Sequence, residues 1–415
     1  MKNTNGIEEV KKRYIIPDFL RGMALMGICV ANFPEFSLYT FQPPEVPADM
    51  PTATIDKVVK YLLYIFVDGK FYTIFSLLFG VGFSIILSNA LKNGRKGLPI
   101  FYRRMALLFL IGFFHLTCLW AGDILILYAF LGFFLPLFRK MSDKKLLVSA
   151  VILLLFPIFV DTCVAIFNWN LSAPVLKATQ HFHDKAGITT ENFPVWLVEA
   201  KSYGEILQFN VAGSFIRMQE FIEGNRYFKV MGLFFIGYYI GRRRIYANLE
   251  DYKDGLRKIR NIGFMFGLPL SILYAWNAMN GYPCKLPGSA ALYAFSVFPL
   301  SFAYVSAVCL LYVKRKERLS AQTEPVFYRV IAATGRMALT NYLMQSVFGI
   351  LIFYGVGLGL GAKTGLIYVE WIALAVFLFQ VLYSCLWLRY FRFGPVEWGW
   401  RMLTYGEWLR IKNSK

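Results

Sequence analysis

Residues 101–138 read FYRRMALLFLIGFFHLTCLWAGDILILYAFLGFFLPLF, and this stretch decides the fold. Its two apolar runs, 101–119 and 122–138, each approach the length that crosses a bilayer as a helix. His115 lies inside the first run, and Asp123 opens the second. Because an imidazole at membrane depth is costly without a partner or a water-filled cavity, His115 marks a candidate functional site.

Apolar runs of similar length recur along the whole chain and predict an all-α, polytopic transmembrane bundle of about ten spans. The predicted spans are 16–35, 71–91, 101–119, 122–138, 145–167, 227–241, 261–279, 289–312, 333–354 and 366–388. Residues 55–91 are too long for one straight helix, so we break them at Asp68 and Gly69. Residues 55–67 then form a helix that lies at the interface or re-enters the membrane. We expect residues 1–415 to form one integral-membrane domain.

The composition excludes a soluble globular protein. Of the 415 residues, 57% are hydrophobic, and the mean hydropathy is +0.49. A net charge of +19 would suggest a nucleic-acid partner in a soluble protein, but here it indicates positively charged inner loops, and we predict no nucleic-acid partner. The six scattered cysteines contain no CxxC pair, and no disulfide framework or metal site is predicted. No cleavage site follows the first apolar run, which predicts an uncleaved first helix.

The charge distribution predicts the topology. With both termini in the cytoplasm, 33 of the 44 lysines and arginines fall in inner segments. This alternation predicts an even number of spans with cytoplasmic ends.

Two segments outside the spans are expected to be helical. Residues 168–226 form the one long extracytoplasmic insertion, and an apolar stripe within it predicts an amphipathic helix on the membrane or over the bundle. The stripe consists of Leu207, Val211, Phe215, Met218 and Ile222. Residues 389–415 form a cytoplasmic tail whose FGPVEWGWRMLTYGEW stretch predicts an interfacial helix that begins at Gly-Pro.

Polar side chains from four helices come to a similar depth near the outer face. They are Asn32, Asp68, Lys70, His115 and Asp123. We interpret His115 and Asp123 as a catalytic pair, in which a neutral imidazole takes a proton from a hydroxyl or amine and the carboxylate orients it. Asn32, Asp68 and Lys70 are candidate substrate-binding residues. The alternative is that the charged groups mark helix ends in water and that His115 bonds a carbonyl.

A basic cluster at the inner face contains Arg103 and Arg104, with Arg21 at the start of the first span. These side chains are candidates for holding the phosphates of a donor such as acyl-coenzyme A. The alternative is that they only set the topology. No other cofactor is predicted.

Asn341 and Gln345 recur at helical spacing in the inner half of the ninth span. They either contact a substrate or join helices through hydrogen bonds. His181 and His183 resemble metal ligands but lack further ligands nearby, so we predict no metal site. No Walker-A loop, GxSxG or HExxH is present, which argues against ATP-driven pumping by this chain.

Five stretches in chain order resemble the YeiB-like bacterial inner-membrane proteins, the family called domain of unknown function 418. They are IPDFLRGMALMGICVANF, DGKFYTIFSLLFGVGFSIIL, RRMALLFLIGFFHLTCLWAGDILILYAFLGFFL, TGRMALTNYLMQS and RFGPVEWGWRMLTYG. The resemblance implies a polytopic fold in the bacterial inner membrane, and it implies no settled activity.

That family is similar in turn to the transmembrane acyltransferases, which include acyltransferase-3 proteins and the heparan glucosaminide N-acetyltransferase. The shared feature is the start of the first helix, here Leu20, Arg21 and Gly22. Acyltransferase-3 proteins carry a histidine towards the far end of that helix, where this chain has Asn32. The resemblance therefore implies acyl transfer only if His115 takes over that role.

Two functions remain open on the sequence. One is a membrane O- or N-acyltransferase that moves an acyl group from a cytoplasmic donor to a small-molecule, sugar or lipid-linked acceptor at the outer face. The other is a transporter or exporter in which His115 and Asp123 carry protons. Membrane lipids are expected partners in both cases, and the oligomeric state stays open.

Overall fold

The computed structural model describes residues 14–92, 94, 96–319 and 324–413. The chain in these ranges is helical apart from turns and one isolated bridge between Phe391 and Lys412, which confirms the all-α class. Part of the basic N-terminal stretch used to predict the topology, residues 2–13, lies outside the described residues, as do Arg95 and Lys415.

The first half of the bundle precedes the outer segment. Its helices are α1 (Ile15–Phe36), α2 (Ala53–Phe66), α3 (Lys70–Lys92), α4 (Gly97–Phe114), α5 (Leu125–Phe134) and α6 (Asp143–Phe167). A π-helical turn, His115–Leu119, extends α4, and a 3-10 turn, Leu135–Phe138, extends α5.

The outer segment and the second half follow. Their helices are α7 (Ala173–Ala186), α8 (Tyr203–Glu223), α9 (Arg226–Arg242), α10 (Lys253–Ile262), α11 (Leu268–Met279), α12 (Lys285–Glu317), α13 (Val326–Arg336), α14 (Ala338–Phe353), α15 (Leu366–Tyr390) and α16 (Pro395–Tyr405). A π-helical turn, Gly263–Gly267, joins α10 to α11. Single turns occupy Tyr39–Phe41, Glu45–Ala48, Trp196–Glu199 and Ile245–Ala247.

Seven helical segments of the described chain are long and apolar enough to cross a membrane. They are Ile15–Phe36, Ala53–Leu91, Gly97–Leu119, Asp143–Phe167, Lys253–Met279, Lys285–Glu317 and Leu366–Tyr390. Leu125–Phe138 and Ala338–Phe353 are shorter apolar helices, and α9 coincides with the remaining predicted span. The chain is therefore a helical membrane protein, and the count of ten spans stays a prediction.

The chain breaks between α2 and α3, at the position that the length of 55–91 predicts. Gly69 has a φ of +74°, in the left-handed region that glycine adopts without strain. The backbone N–H of Asp68 donates to the carbonyl of Leu63 at 2.8 Å and closes α2. The break leaves the side chain of Asp68 beside the start of α3.

Glycines allow two pairs of helices to approach closely. A Cβ on Gly237 of α9 would lie 2.0 Å from the carbonyl oxygen of Leu77 in α3. A Cβ on Gly335 of α13 would lie 1.8 Å from the carbonyl oxygen of Asp18 in α1. In both pairs the backbone of one helix lies directly against the backbone of the other, which is the close approach that small residues permit in membrane proteins.

The structure corrects the predicted span 333–354, which is two helices with a break at Met337. Glu397 of α16 explains the break, because its carboxylate accepts from the backbone N–H groups of Leu339 at 2.6 Å and Thr340 at 3.0 Å. Its other oxygen accepts from the Thr340 hydroxyl at 2.5 Å. The helix of the C-terminal tail is therefore docked against the bundle and caps α14.

The predicted helix of the outer segment is α8, and its apolar stripe lies beside the face that packs on the bundle; Met218, for example, is 42% exposed. The side chains that pack inward lie beside the stripe and include Ile206, Phe209, Phe221 and Arg217. Phe215 of the stripe stacks on Phe182 of α7 instead, at 4.9 Å between ring centroids. The helix is present, but α7 shares the cover of its apolar surface.

Candidate functional site

A chain of three hydrogen-bonded side chains lies at the centre of the candidate site. His115 Nδ1 is 2.8 Å from Asp123 Oδ2, and His115 Nε2 is 2.7 Å from Ser346 Oγ. The side chains of His115 and Asp123 are fully buried, and Ser346 is 1% exposed. The structure therefore brings the predicted pair together and adds a serine that the sequence reasoning missed.

Local structure places each member of this chain. His115 begins the π-helical turn that ends α4, and the chain then reverses within a few residues. Asp123 precedes α5, where its Oδ1 accepts from the backbone N–H of Ile126 at 2.8 Å. This bond fixes the carboxylate, so its second oxygen faces the imidazole. Ser346 comes from α14, more than two hundred residues away in sequence.

The arrangement has the order of a catalytic triad. When a carboxylate accepts from Nδ1–H, the neutral imidazole presents Nε2 as an acceptor. Ser346 then donates its hydroxyl hydrogen to Nε2, which is the geometry that activates a serine as a nucleophile. Ser346 belongs to the stretch TGRMALTNYLMQS, but its partners could not be identified from spacing within one helix.

A cavity of about 790 Å³ opens beside this triad. Asn32 and Asp68, both predicted at the site, line it, and the hydroxyl of Tyr274 donates to Asp68 at 2.6 Å. The triad itself lies one layer behind the wall. Tyr342 lines the cavity, and its ring centroid is 5.0 Å from that of His115.

Arg217 of α8 closes the cavity next to the triad. Its guanidinium donates to Glu220 at 2.5 Å, to Glu35 at 3.3 Å and to the carbonyl of Ala121 at 3.2 Å. Burial opposes the charge, but the carboxylates of Glu220 and Glu35 outweigh burial and raise the pKa of Arg217. An arginine on the buried face of α8 was not predicted, because only the packing of that helix on the bundle shows which of its side chains reach the cavity.

Lys70 does not reach the cavity, although the sequence places it there. Its side chain is fully buried, and Nζ donates to the carbonyl of Tyr64 at 2.7 Å. The ammonium also lies 5.4 Å from the centroid of the Tyr274 ring. Lys70 thus joins the end of α2 to the start of α3, and its part in substrate binding stays a prediction.

Asn341 and Gln345 lie away from the cavity, between α14 and α15. The Asn341 amide donates to Ser384 Oγ at 2.9 Å and to the carbonyl of Thr334 at 3.1 Å. The Gln345 amide donates to Gln380 Oε1 at 3.1 Å. Of the two functions predicted for these residues, this placement favours helix joining.

The arginines predicted at the inner face are also engaged with the protein. Arg21 pairs with Asp18 at 2.7 Å, and Arg103 donates to the carbonyl of Thr404 at 3.2 Å. The guanidinium of Arg104 stacks on Trp400 of α16, with 3.9 Å to the ring centroid. Its Nε is buried and has no hydrogen-bond acceptor in the described part of the chain. Arg104 therefore has a buried donor that an anion could satisfy.

Sequence comparison places the chain in a family. Residues 240–407 match the family described as protein of unknown function (DUF418). The chain is 33% identical over 418 residues to the "Uncharacterized protein YxaH" of Bacillus subtilis (strain 168), with 97% of each chain covered.

Two further relatives match over similar lengths. The "Uncharacterized 39.9 kDa protein in amylase 3'region" of Bacillus acidopullulyticus is 29% identical, over 96% of this chain and 95% of the relative. The "Uncharacterized protein YeiB" of Escherichia coli (strain K12) is 28% identical, over 95% and 96%. No solved structure matches the chain. The chain belongs to the DUF418 family of YeiB-like proteins.

Proposed function

We propose that the protein is a membrane acyltransferase that uses Ser346, His115 and Asp123 on a substrate held in the outer cavity. The observation that supports this proposal is the fully buried Asp–His–Ser chain, with 2.8 Å and 2.7 Å between its members. Burying an imidazole and a carboxylate within a helical bundle has a desolvation cost, and such groups in membrane helices are by default candidates for a function. The proposed membrane is the bacterial inner membrane, with both termini in the cytoplasm.

The reaction follows from the direction of the hydrogen bonds. Ser346 Oγ attacks the carbonyl carbon of an acyl thioester while its proton passes to His115 Nε2. Asp123 stabilises the imidazolium, which then gives the proton to the departing thiolate. An acceptor hydroxyl or amine attacks the acyl-serine in the second half, His115 takes its proton, and Ser346 recovers the proton as it leaves.

The two substrates approach from opposite sides in this proposal. Arg104, with Arg21 and Arg103, binds the phosphates of an acyl-coenzyme A donor at the inner face. His115 follows Arg104 by eleven residues on the same helix, which corresponds to about 16 Å along the helix axis. The acyl arm of the donor has to span this distance. The acceptor enters through the outer cavity and reaches Ser346 when the ring of Tyr342 turns aside.

The experiment is covalent trapping in the purified full-length protein. Radiolabelled acetyl-coenzyme A and palmitoyl-coenzyme A are the probes, and label on a Ser346 peptide is the expected result. Ser346→Ala should abolish the label, whereas Ser306→Ala, a buried serine of α12, should retain it. Label that persists in Ser346→Ala, or that is absent from the wild-type protein with both donors, would refute the proposed intermediate.

One observation supports transport as a second candidate. Two membrane helices are interrupted, one between α2 and α3 and the other at Met337 between α13 and α14. Interrupted helices in both halves of a chain are typical of transporters. In that function His115 and Asp123 would carry a proton, and uptake into vesicles would proceed without any covalent product.

A further inference from the structure

A second, apolar hollow adjoins the cavity at the outer end of α6 and α9. It has a volume of about 360 Å³ and is lined almost entirely by apolar side chains. Among them are Phe156, Phe159, Cys163, Trp169, Ile222 and Phe228. Phe159 is 61% exposed and Trp169 is 52% exposed, so the hollow opens on the surface of the bundle. We call it the apolar groove.

The groove and the cavity lie on opposite sides of the same two helices. On α9, Arg226 and Lys229 line the cavity, and Phe228 between them lines the groove. On α6, Asp161 lines the cavity, and Cys163 lines the groove. The helix pair α6 and α9 thus presents a polar face to the cavity and an apolar face to the groove at the same depth.

One hydrogen bond joins the two helices at this boundary. The Asn225 amide, at the start of α9, donates to Asp161 Oδ1 at 2.7 Å. Asn225 belongs to the lining of the groove, and Asp161 belongs to the lining of the cavity. This pair of side chains therefore lies at the boundary between the polar and the apolar space.

The two cations that α9 places on the cavity wall have no carboxylate closer than 4.0 Å among the ion pairs of the described residues. Among the residues that the structure describes, Lys229 makes no ion pair, and its Nζ lies 3.9 Å above the ring of Tyr293. Arg226 is 4.0 Å from Glu220, a carboxylate that already binds Arg217 at 2.5 Å. Asp161, the acid that α6 places on this wall, accepts from the uncharged Asn225 amide. Although Glu35, Asp68, Asp161 and Glu223 also line the cavity, an anionic group beside Arg226 and Lys229 would contact two cations that have no carboxylate closer than 4.0 Å among the described ion pairs.

We propose that the cavity and the groove together bind an anionic membrane lipid. Its phosphate lies against Arg226 and Lys229, and one of its acyl chains lies in the apolar groove. A soluble phosphate compound would leave the groove empty, and a zwitterionic lipid would bring a second cation towards Lys229. This proposal deepens the acyl-transfer function, on which it rests for one point: the lipid is the acceptor class, because its headgroup lies in the cavity that Tyr342 also lines.

Lipid binding can be measured without any transfer reaction. The full-length protein in detergent is titrated with dioleoyl-phosphatidylglycerol, dioleoyl-phosphatidylcholine and inorganic phosphate, and bound species are counted by native mass spectrometry. We expect the anionic lipid to bind at least about tenfold more tightly than the zwitterionic lipid, as charge-assisted hydrogen bonds predict. Equal affinities for the two lipids would overturn the proposal.

The charge of Lys229 is tested with matched variants. Lys229→Met should weaken binding of the anionic lipid by about tenfold or more, and Lys229→Arg should restore most of it. Lys177→Met, which removes an exposed charge of α7 on the same side, should leave binding unchanged. An unchanged affinity in Lys229→Met would refute the phosphate position.

Variants in the apolar groove distinguish a lipid ligand from a soluble phosphate compound. Cys163→Trp fills the groove and should reduce lipid binding, whereas Ile166→Trp, at a position of α6 that is 66% exposed, should not. If inorganic phosphate binds with the affinity of the lipid and Cys163→Trp has no effect, the ligand is a soluble phosphate compound and the lipid proposal fails.

The failure of the proposed function would give a different pattern. Ser346→Ala should retain full lipid binding, because Ser346 lies behind the cavity wall. Lipid binding that survives while no acyl label forms on Ser346 would retain the lipid site and reject acyl transfer. Acyl label on Ser346 without lipid preference would retain acyl transfer and reject the lipid.

Discussion

Polar residues inside the bundle behave differently around the cavity and between packed helices. Next to α8, Asp68 and Lys229 line a cavity of about 790 Å³. On α14, Tyr342 lines the same cavity, but Asn341 and Gln345 on other faces of that helix are almost fully buried and donate to neighbouring helices. The same signal, a polar residue in an apolar span, thus marks a binding space in one region and a helix contact in the other. The difference arises from whether neighbouring helices diverge around the residue or close on it.

The comparison depends first on which side of the membrane the cavity opens. Reporter fusions after residue 200 and after residue 415 should give opposite, all-or-none signals, because 33 of the 44 basic residues fall in the predicted inner segments. Periplasmic phosphatase activity and cytoplasmic fluorescence provide the measurement. Reporter signals from the same side for both fusions would contradict the predicted topology and the outer position of the cavity.

The outer region should dominate activity. His115→Ala is expected to lower acyl transfer by roughly 10²- to 10⁴-fold, the range for loss of a placed proton-transfer group. Asp123→Asn should lower it less while the protein still folds, since the carboxylate orients the imidazole. Transfer rates of the purified variants are the measurement. Full activity in His115→Ala would show that the three residues stabilise helix packing and do not take part in catalysis.

The contacts between packed helices should dominate stability. Glu397→Ala leaves two backbone N–H groups of α14 without an acceptor, and we expect a loss of about 2–3 kcal/mol. Glu397→Gln keeps one acceptor oxygen and should lose less. Thermal unfolding in detergent provides the measurement, and an unchanged midpoint in Glu397→Ala would contradict the capping role.

The buried amides should matter less than the cap. Asn341→Leu removes hydrogen bonds to Ser384 and Thr334, and we expect a loss of about 1 kcal/mol, typical of interhelical hydrogen bonds in membranes. Lipid affinity and the KM for the acceptor should not change. A raised KM with unchanged stability would move Asn341 from helix joining to substrate binding.

The smallest effect is expected in the outer segment, at His183 of α7. Partial burial lowers the pKa of His183, and its Nε2 has no partner in the described part of the chain. The unfolded state therefore binds a proton at a higher pH than the folded state, so stability is full above about pH 6.5 and falls as the pH decreases through that value. His183→Gln should remove this dependence, and His181→Gln, at an exposed position, should keep it. Melting temperatures between pH 7.5 and 5.5 distinguish the two.

Much of the candidate site was accessible from local sequence. His115 and Asp123 are eight residues apart, and the short turn between two apolar runs forces their side chains together. Asn32 and Asp68 were placed at the outer end by counting helix turns, and they line the cavity. Lys70 was placed there by the same count, but depth alone does not tell which way a side chain points around its helix.

Amino-acid patterns alone predict the all-α membrane fold, most of the helix positions, the family and the proximity of His115 to Asp123. These depend on hydrophobic periodicity, chain reversal and local spacing, which act over tens of residues. The tertiary structure alone decided that Ser346 completes the hydrogen-bonded chain, that Glu397 interrupts the ninth span, and that α8 buries Arg217. Each of these contacts joins helices far apart in sequence, and their rotation about their own axes is set by packing against neighbours, which no single helix encodes.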